Sequence, residues 1–424
     1  MEYLPRILDA RLDRLLEDVP AVAVVGPKAV GKTRTAQRRA KTVIDLVDEF
    51  ELDLIKGDPE RLDESPRPLL IDEWQMHPPV WDRVRRAVDR GAAPGSFIMT
   101  GSATPAKRPM HSGAGRIVQV RMRPLSLAER GLTASSVSLA TLLTGERGRV
   151  RGESPVTLSK YIDEIIASGL PGVRTAAERS RNDLLDGYLD AVVERDFPEA
   201  GHNVRRPRTL RAWLRAFAAA SATTADYASI TDAATAGEAD KPARSTTLSY
   251  RETLERMWLV EEVPAWTGIG SMLKALAATP KHHLCDPALA ARLLNVDADA
   301  LLHQPNPSDV RLPRSTPLVG ALFESLVTLC VQVYADANGA RVSHFRTRKG
   351  DREIDLIVER PDGRVVAIEV KLAARPDNGD VKHLKWLRDQ IGDDLLDAAV
   401  ITTGPAAFRR EDGIAVIPAA LLGP

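Results

Sequence analysis

A run of eight residues near the N-terminus has the residue types that hold the phosphates of a nucleoside triphosphate. Its two glycines let backbone amides turn toward phosphate oxygens. Its second lysine supplies positive charge for the β- and γ-phosphates, and its threonine offers a hydroxyl to Mg²⁺. The run lies between AVAVV, predicted as a strand, and TRTAQRRA, predicted as a helix, which is the context that this motif requires. The sequence therefore predicts a site for ATP and Mg²⁺ at Gly26, Pro27, Lys28, Ala29, Val30, Gly31, Lys32 and Thr33.

Two acidic residues end the apolar run LLIDE farther along the chain. Asp72 is the candidate ligand of Mg²⁺, and Glu73 is the candidate group that polarises a water attacking the γ-phosphate. Without a preceding phosphate loop, such a pair is more typical of a strand that ends at a loop. Thr100, at the end of SFIMTG, is a candidate sensor that orients the attacking water. Ser102 is its nearest substitute, and a simple turn is the alternative.

Arg116, in AGRIVQV, is a candidate arginine finger that stabilises the charge of the transition state. If a neighbouring subunit supplied this arginine, the protein would form a ring or a dimer. A homo-oligomer is therefore one expectation. A surface arginine is the equally weighted alternative.

A second group of charged residues lies in EIDLIVERPDGRVVAIEVK, residues 353–371. Asp-Gly between two alternating apolar runs predicts a hairpin. The alternation puts Glu369 and Lys371 on one face, with Asp355 on the partner strand. Two carboxylates and a lysine are what metal-dependent hydrolysis of a phosphodiester requires. The segment resembles the PD-(D/E)xK nuclease core, and the resemblance implies metal binding by Asp355 and Glu369, with Glu324 on the preceding helix as the first acidic residue.

Two other interpretations of this C-terminal group stay open at the level of sequence. One is a solvated strand face, and the other is a nuclease fold that has lost catalysis and serves only for binding. A basic rim nearby would contact the phosphates of a nucleic acid, or it is a solvated run of charges. The rim consists of Arg346, Arg348, Lys349 and Arg352.

The predicted elements that position these residues form consecutive regions. A helix within residues 4–19 and the strands AVAVVG, TVIDLVD, PLLIDE and SFIMTG, with helices between them, predict a parallel α/β sheet. Helices follow at 155–200 and from 209, and WLVEEVPAW predicts a hairpin that completes a winged-helix-like unit. A helix at 318–334 and the strands RVSHFRT, EIDLIVE, VVAIEVK and AAVITTG predict a second α/β domain. The expected domains are a P-loop ATPase domain (1–150), a helical lid (151–205), the winged-helix-like segment (206–268) and a nuclease-like domain (269–424).

Composition limits the class of protein. Of the 424 residues, 44% are hydrophobic and 27% charged, which is ordinary for globular domains. Lysine plus arginine and aspartate plus glutamate both number 58, so contact with nucleic acid would be local rather than a global basic field. Cys285 and Cys330 are too few for a disulfide framework, and His282 and His283 lack the spacing of zinc ligands and are expected to cap a strand. The expectation is a cytoplasmic protein without a membrane span.

Taken in order, the motifs GPKAVGKT, LLIDEWQ, FIMTGSA and GRIVQVRMRPLSLAE resemble a prokaryotic AAA-type ATPase family whose members carry a C-terminal domain of unknown function. The later segments YLDAVVERDFPE, YRETLERMWLVEEVPAW, KHHLCDPALAARLL and GALFESLV follow the order of that family, so the resemblance covers nearly the whole chain. It implies ATP binding at 26–33, Asp72 and Glu73 as the Walker B pair, and a winged helix near 209–265. The alanine-rich 216–225 and the polar loop 235–245 depart from a tight helix-turn-helix.

Three functional hypotheses follow. The first is an ATPase whose nucleotide state controls a nuclease-like domain acting on DNA or RNA. The second is a switch in which ATP changes assembly or DNA affinity while the C-terminal domain is inert. The third is a metabolic P-loop kinase, which Glu73 disfavours because a glutamate there suits activation of water better than phosphoryl transfer to an alcohol.

Overall fold

Apolar residues on both faces make the N-terminal strands into a parallel sheet in the computed structural model. The elements are α1 (Leu8–Asp18), β1 (Ala21–Val25), α2 (Lys32–Gln37), β2 (Thr42–Asp45), α3 (Glu49–Gly57), α4 (Arg61–Glu64), β3 (Leu69–Asp72), α5 (Pro79–Asp89), β4 (Phe97–Gly101) and β5 (Val118–Arg121). Every residue of β1 and β3 is buried, as expected of strands covered on both faces. The strand order is β2-β3-β4-β1-β5 and all pairs are parallel, which confirms the predicted α/β sheet.

The structure describes most of the chain. The described residues are 3–102, 113–199, 207–235, 244–268, 279–302, 316–347 and 350–424. Two members of the predicted basic rim, Arg348 and Lys349, lie outside them. Parts of the polar loop at 235–245 also lie outside them.

Helices dominate the middle of the chain, as the sequence predicts. The elements are β6 (Val137–Ser138), α6 (Leu139–Thr144), β7 (Gly152–Glu153), α7 (Leu158–Ile166), α8 (Pro171–Arg174), α9 (Glu178–Ala191), a π-helical turn (Val192–Asp196), α10 (Phe197–Glu199), α11 (Pro207–Ala219), α12 (Tyr227–Ala234) and α13 (Arg244–Arg256). Polar side chains begin several of these helices: Thr157 accepts the amide of Lys160 in α7, and Asp226 accepts that of Ser229 in α12.

The strand within WLVEEVPAW finds its partner far along the chain. This strand, β8 (Val260–Val263), pairs antiparallel with β9 (Lys281–Leu284). The prediction of a local hairpin is therefore wrong, because the partner lies beyond the expected domain boundary at 268. The winged-helix-like unit stays a prediction. If helices α11 to α13 and this strand pair form it, the unit extends past residue 268.

The C-terminal region forms a mixed sheet around one long helix. The elements are α14 (Pro287–Leu293), α15 (Ala298–Leu302), α16 (Thr316–Ala337), β10 (Arg341–Arg346), β11 (Glu353–Glu359), β12 (Val365–Val370), α17 (Lys382–Ile391), β13 (Leu395–Thr402), β14 (Ala406–Arg409), β15 (Ala415–Pro418) and β16 (Leu422–Gly423). The sheet order is β10-β11-β12-β13-β15-β14-β7. β11 and β12 are antiparallel and joined at Arg360–Arg364, so the predicted Asp-Gly hairpin is confirmed.

The two α/β regions share one hydrophobic core. That core runs from Val22 and Val24 in β1, through the helices of the middle region, to Val366 and Ile368 in β12. Two strand pairs add to the connection: β6 pairs with β16, and β7 pairs with β14. The division into domains remains a prediction, and these pairs join residues that it assigns to different domains.

One helix in the described part of the chain is long and apolar enough to cross a membrane by length and composition. It is Leu318–Ala337 of α16, with a mean hydropathy of 1.7, and 72% of it is buried within the protein. Its burial against the C-terminal sheet is what a core helix requires.

Candidate functional site

The loop from Gly26 to Thr33 has the backbone shape that an anion cradle requires. Gly26 has φ +153°, and a Cβ there would lie 2.2 Å from the carbonyl oxygen of Met122. Gly31 has φ +102° and immediately precedes α2, so a side chain there would be strained. The loop thus joins the end of β1 to the N-terminus of α2, where free amides and the helix dipole favour phosphate.

Lys32 is folded back onto this loop. Its side chain is 4% exposed, and its Nζ donates to the carbonyl oxygens of Gly26 at 3.0 Å and Pro27 at 2.8 Å. Burial lowers the pKa of Lys32 to about 8, against the acidic groups of Glu73 and Asp72, which raise it. Its acceptors here are neutral carbonyls, so the positive charge is available to an anionic ligand at the loop.

Asp72 stands beside the threonine of the loop. The Thr33 hydroxyl donates to the two carboxylate oxygens of Asp72 at 2.9 and 3.0 Å, and the Thr100 hydroxyl donates to the same carboxylate. Burial raises the pKa of Asp72. β4, which carries Thr100, lies between β3 and β1. Thr33, Asp72 and Thr100 therefore meet at the carboxyl ends of these parallel strands. The hydroxyl of Thr33 and the carboxylate of Asp72 are hard oxygen ligands, which fit Mg²⁺.

Glu73 lies next to this pair and has a left-handed backbone, with φ +50°. Its amide donates to the hydroxyl of Thr100 at 3.3 Å, and its carboxylate accepts from the hydroxyl of Ser102 at 2.7 Å. The side-chain amide of Gln75 also donates to that carboxylate. A non-glycine residue in this conformation is uncommon and is often found at functional sites. Thr100 and Ser102 thus hold different acids rather than substituting for each other.

Arg116 is not brought together with the loop of its own chain. It precedes β5, whose first residues pair with the first residues of β1, whereas the phosphate loop follows the last residue of β1. Its guanidinium pairs with Asp89 at 2.8 Å on this opposite edge of the sheet. Arg116 therefore does not contact nucleotide bound by the same chain, and its supply to a neighbouring subunit stays a prediction.

The predicted C-terminal residues do meet. The ammonium of Lys371 lies 2.7 Å from Glu369 and 3.7 Å from Asp355, and the amide of Val370 donates to Asp355 at 2.9 Å. Burial would raise the pKa of Asp355, but Lys281 and Lys371 hold it well below its usual range. Burial and the charge of Asp355 raise the pKa of Glu369.

A lysine that sequence reasoning did not single out lies at the centre of this cluster. Lys281, the first residue of β9, is 1% exposed. Its Nζ lies 2.8 Å from Glu324, 2.9 Å from Asp355 and 3.0 Å from Glu353. Burial alone would lower the pKa of Lys281, but the charges of these carboxylates raise it well above its ordinary value. Burial and Asp355 raise the pKa of Glu324 to about 8.

This arrangement does not fit the expected metal ligands. Glu324 and Asp355 each give an oxygen to Lys281, and Glu369 gives one to Lys371. Among the described residues, no group of three or more His, Cys, Asp or Glu side chains has the arrangement of a metal site. The carboxylates expected to hold Mg²⁺ are neutralised by ammonium groups instead.

The residues near this cluster have structural partners. Arg346 lies 3.9 Å from Glu353, and Arg352 stacks on the ring of Trp386. His282 lies within β9, where its ring contacts the carbonyl of Ala225 at 2.7 Å, so it does not cap a strand end. Its neighbour His283 contacts the hydroxyl of Ser325 at 2.9 Å.

Charged contacts link the nucleotide site with the C-terminal cluster. Arg121, the last residue of β5, binds Glu261 in β8 through hydrogen bonds of 2.8 and 2.6 Å. Arg123 also contacts Glu261, at 3.0 Å, and pairs with Asp336 in α16. β8 is the partner of the strand that carries Lys281, and α16 carries Glu324. The end of β5 and the residues just after it therefore contact β8 and α16, and these two elements position the residues of the cluster.

Sequence reasoning found the motifs and missed their long-range partners. Sequence reasoning quoted the segments that contain Lys281, Glu261 and Glu353, but it gave these three residues no role. The one available signal was Lys281 itself, a charge at the start of a strand that is buried throughout. A buried charge requires a partner.

Comparisons with family models divide the chain into three matched segments. Residues 18–130 match a model described as AAA domain, residues 158–300 match a domain of unknown function (DUF8612), and residues 319–422 match another (DUF4143). The first match supports an AAA-type domain in the N-terminal region. The other two carry no statement about nuclease activity.

Mycobacterial relatives match nearly the whole chain. The uncharacterized proteins Rv2008c of Mycobacterium tuberculosis and Mb2031c of Mycobacterium bovis are each 26% identical over 419 residues, which is 97% of this chain and 82% of theirs. Among solved structures, a Walker-type ATPase of Pyrococcus abyssi is 16% identical, with a TM-score of 0.40 over 69% of this chain and 96% of its own. The ORC2 protein of Aeropyrum pernix is 15% identical, with a TM-score of 0.32 over 69% and 91%.

Proposed function

We propose that the chain is a Mg²⁺-dependent ATPase whose nucleotide state is transmitted to the C-terminal domain. The observation that carries this proposal is the convergence of Thr33, Asp72 and Glu73 at the edge of the sheet where the loop of Lys32 begins a helix. Hydroxyl, carboxylates and ammonium are then present where the β- and γ-phosphates would lie.

Each residue has a distinct part in hydrolysis. Lys32 leaves its two carbonyl acceptors and binds the phosphates. Thr33 and Asp72 would hold Mg²⁺, which would neutralise charge on the phosphates. Glu73 orients a water and takes its proton as the water oxygen attacks the γ-phosphorus. The bond from that phosphorus to the bridging oxygen breaks, and ADP and phosphate are released.

Glu73→Gln separates binding from hydrolysis. The amide keeps the size of the side chain but does not take a proton, so we expect ATP binding to persist while hydrolysis slows about 100-fold. Phosphate release and binding of a fluorescent ATP analogue measure the two. Lys32→Ala loses both, whereas Glu60→Gln, an exposed acid on the same domain, changes neither. Equal hydrolysis by wild type and Glu73→Gln would remove Glu73 from the mechanism.

The link to the C-terminal domain rests on Arg121 and Arg123. Phosphate binding at the loop would displace Met122, which is in contact with the loop. The amide of Met122 donates to Val25 at 2.7 Å, and its carbonyl lies against Gly26. The arginines on either side of Met122 hold Glu261 and Asp336. We expect ATP to change hydrogen exchange in β8 and α16 of the wild type, and to leave it unchanged in Lys32→Ala.

A nuclease controlled by ATP is the second candidate, because Asp355, Glu369 and Lys371 meet as a PD-(D/E)xK motif requires. The ion pairs of Lys281 favour the switch with an inert C-terminal domain over this candidate. Incubation with plasmid DNA or structured RNA, ATP and Mg²⁺ or Mn²⁺ distinguishes them. The nuclease predicts cleavage that Asp355→Asn abolishes, and the switch predicts ATP hydrolysis with no cleavage.

A further inference from the structure

The ammonium of Lys281 has the geometry of a bound cation rather than of a surface ion pair. A lysine has three N–H donors, and three carboxylate oxygens surround Nζ at 2.8, 2.9 and 3.0 Å. These oxygens come from Glu324 on α16 and from Glu353 and Asp355 on β11. The ammonium thus donates hydrogen bonds to Glu324 and Asp355 and forms an ion pair with Glu353, so that acids from two elements surround it.

We propose that Lys281 is an internal cation that fills a latent divalent-metal site, so that the wild-type cluster binds no divalent metal. This inference deepens the proposed switch, because it rests on a C-terminal domain that does not cleave. It also assigns the site a ligand class: with Lys281 removed, the same carboxylates would take Mg²⁺ or Mn²⁺.

Size and position explain the exclusion. Carboxylate oxygens bind Mg²⁺ at about 2.0–2.1 Å, so a metal among these oxygens would overlap the position of Nζ. The backbone of Lys281 is held in place because it pairs with Val263 of β8. β8 is itself held by Glu261, which forms ion pairs with two arginines of the N-terminal region. A buried ammonium on a paired strand is not free to leave for solvent.

The second lysine provides a matched control within the same cluster. Lys371 contacts Glu369 and lies 3.7 Å from Asp355. Its side chain is 31% exposed, so it lies at the solvent-facing side of the cluster. If the position of Nζ decides exclusion, removal of Lys281 opens the site and removal of Lys371 does not. If only the total charge decides it, the two removals have the same effect.

Mn²⁺ titration of the full-length protein tests this. All variants carry Asp72→Asn and are assayed without nucleotide, so that the phosphate loop does not contribute. We expect no Mn²⁺ binding and no shift of the unfolding midpoint for this parent. We expect the Lys281→Met variant to bind one Mn²⁺ at least about 100-fold more tightly than the parent, and its unfolding midpoint to rise when Mn²⁺ is added. Lys371→Met behaves as the parent, and Asp355→Asn abolishes the gain in Lys281→Met.

A second variant guards against loss of folding. Lys281→Met with Glu324→Gln removes the ammonium together with one of its acidic partners, so that fewer acids remain without a cation, and it too should gain Mn²⁺ binding. The proposal is overturned if the parent binds Mn²⁺ in a way that Asp355→Asn abolishes, if Lys371→Met gains as much as Lys281→Met, or if folded Lys281 variants gain nothing. Because ATP hydrolysis is measured separately, failure here leaves the ATPase proposal intact.

Discussion

Two buried lysines have opposite surroundings in this molecule. Lys32, 4% exposed in the phosphate loop, donates to two backbone carbonyls, and burial lowers its pKa to about 8. Lys281, 1% exposed in the C-terminal cluster, is surrounded by three carboxylates that raise its pKa well above its ordinary value. Among the described residues no direct ion pair compensates the charge of Lys32, on which Glu73 and Asp72 act at longer range, whereas three acidic side chains in contact compensate that of Lys281.

The difference separates a site prepared for a ligand from a site that is already filled. A buried charge without an opposite charge is costly, and the phosphates of a nucleotide would relieve that cost at Lys32. At Lys281 the protein supplies the opposite charges itself. The N-terminal site is therefore expected to respond to anionic ligand, and the C-terminal cluster to contribute to stability.

Loss of Lys281 should have the largest effect on stability. Lys281→Met leaves Glu324, Glu353 and Asp355 close together without their ammonium, and we expect the free energy of unfolding to fall by about 3–5 kcal/mol. Urea denaturation without nucleotide or metal measures it. Lys32→Met is the control and should be neutral or stabilising, because it removes an uncompensated charge. Equal losses in both variants would contradict the comparison.

The pH dependence of stability should separate the two lysines next. An unfolded lysine has a pKa near 10.5, and the folded value for Lys32 is about 8. Folding therefore opposes the charge of Lys32 below pH 8, and this penalty disappears as the pH rises from about 8 to about 10.5. We expect the wild type to gain roughly 3 kcal/mol over Lys32→Met across this window in urea denaturation.

Lys281 should show the opposite sign. Its folded pKa is raised, so its stabilising contribution is fully present below an ordinary lysine pKa and is lost only as the pH passes the raised value. In a Glu324→Gln background, which removes the acid whose pKa is raised to about 8, the stabilising contribution that Lys281→Met removes should accordingly stay constant between about pH 8 and 9.5. A rise with pH like that of Lys32 would show that the carboxylates do not compensate its charge.

The smallest effect is expected at Lys28, a third lysine with a single acidic partner. It pairs with Asp196 of the π-helical turn at 2.6 Å, but its side chain is 39% exposed. Solvent screens such pairs, so Lys28→Ala should change the free energy of unfolding by less than about 1 kcal/mol. Urea denaturation of this variant and of Asp196→Asn checks it. A loss as large as that of Lys281→Met would mean that burial does not determine how much a lysine ion pair contributes to the free energy of unfolding.

Local patterns predicted the elements well. The strands of LLIDE and SFIMTG, the hairpin at Asp362-Gly363 and the long helix that carries Glu324 all lie where periodicity and turn residues indicated. The phosphate loop was predictable because its chemistry is contained in eight consecutive residues whose conformation depends on two glycines. Each of these signals is local along the chain.

Positions that depend on distant residues could not be derived from the sequence. Arg116 is one residue of a loop before β5, and only the parallel pairing of β5 with β1 puts it at the edge opposite the phosphates. The strand in WLVEEVPAW has an alternating pattern that any partner strand satisfies, and the fold pairs it with 281–284.

The sequence by itself determined a P-loop site and two α/β regions with helices between them, because glycine conformations, apolar periodicity and turn residues act over a few neighbours. Tertiary structure alone decided the state of the C-terminal carboxylates. Lys281 and Asp355 are 74 residues apart along the chain, and nothing in either local pattern refers to the other. Their meeting follows from the shared core, which brings β9, α16 and β11 together and so decides whether the acids are filled by an ammonium or left for a metal.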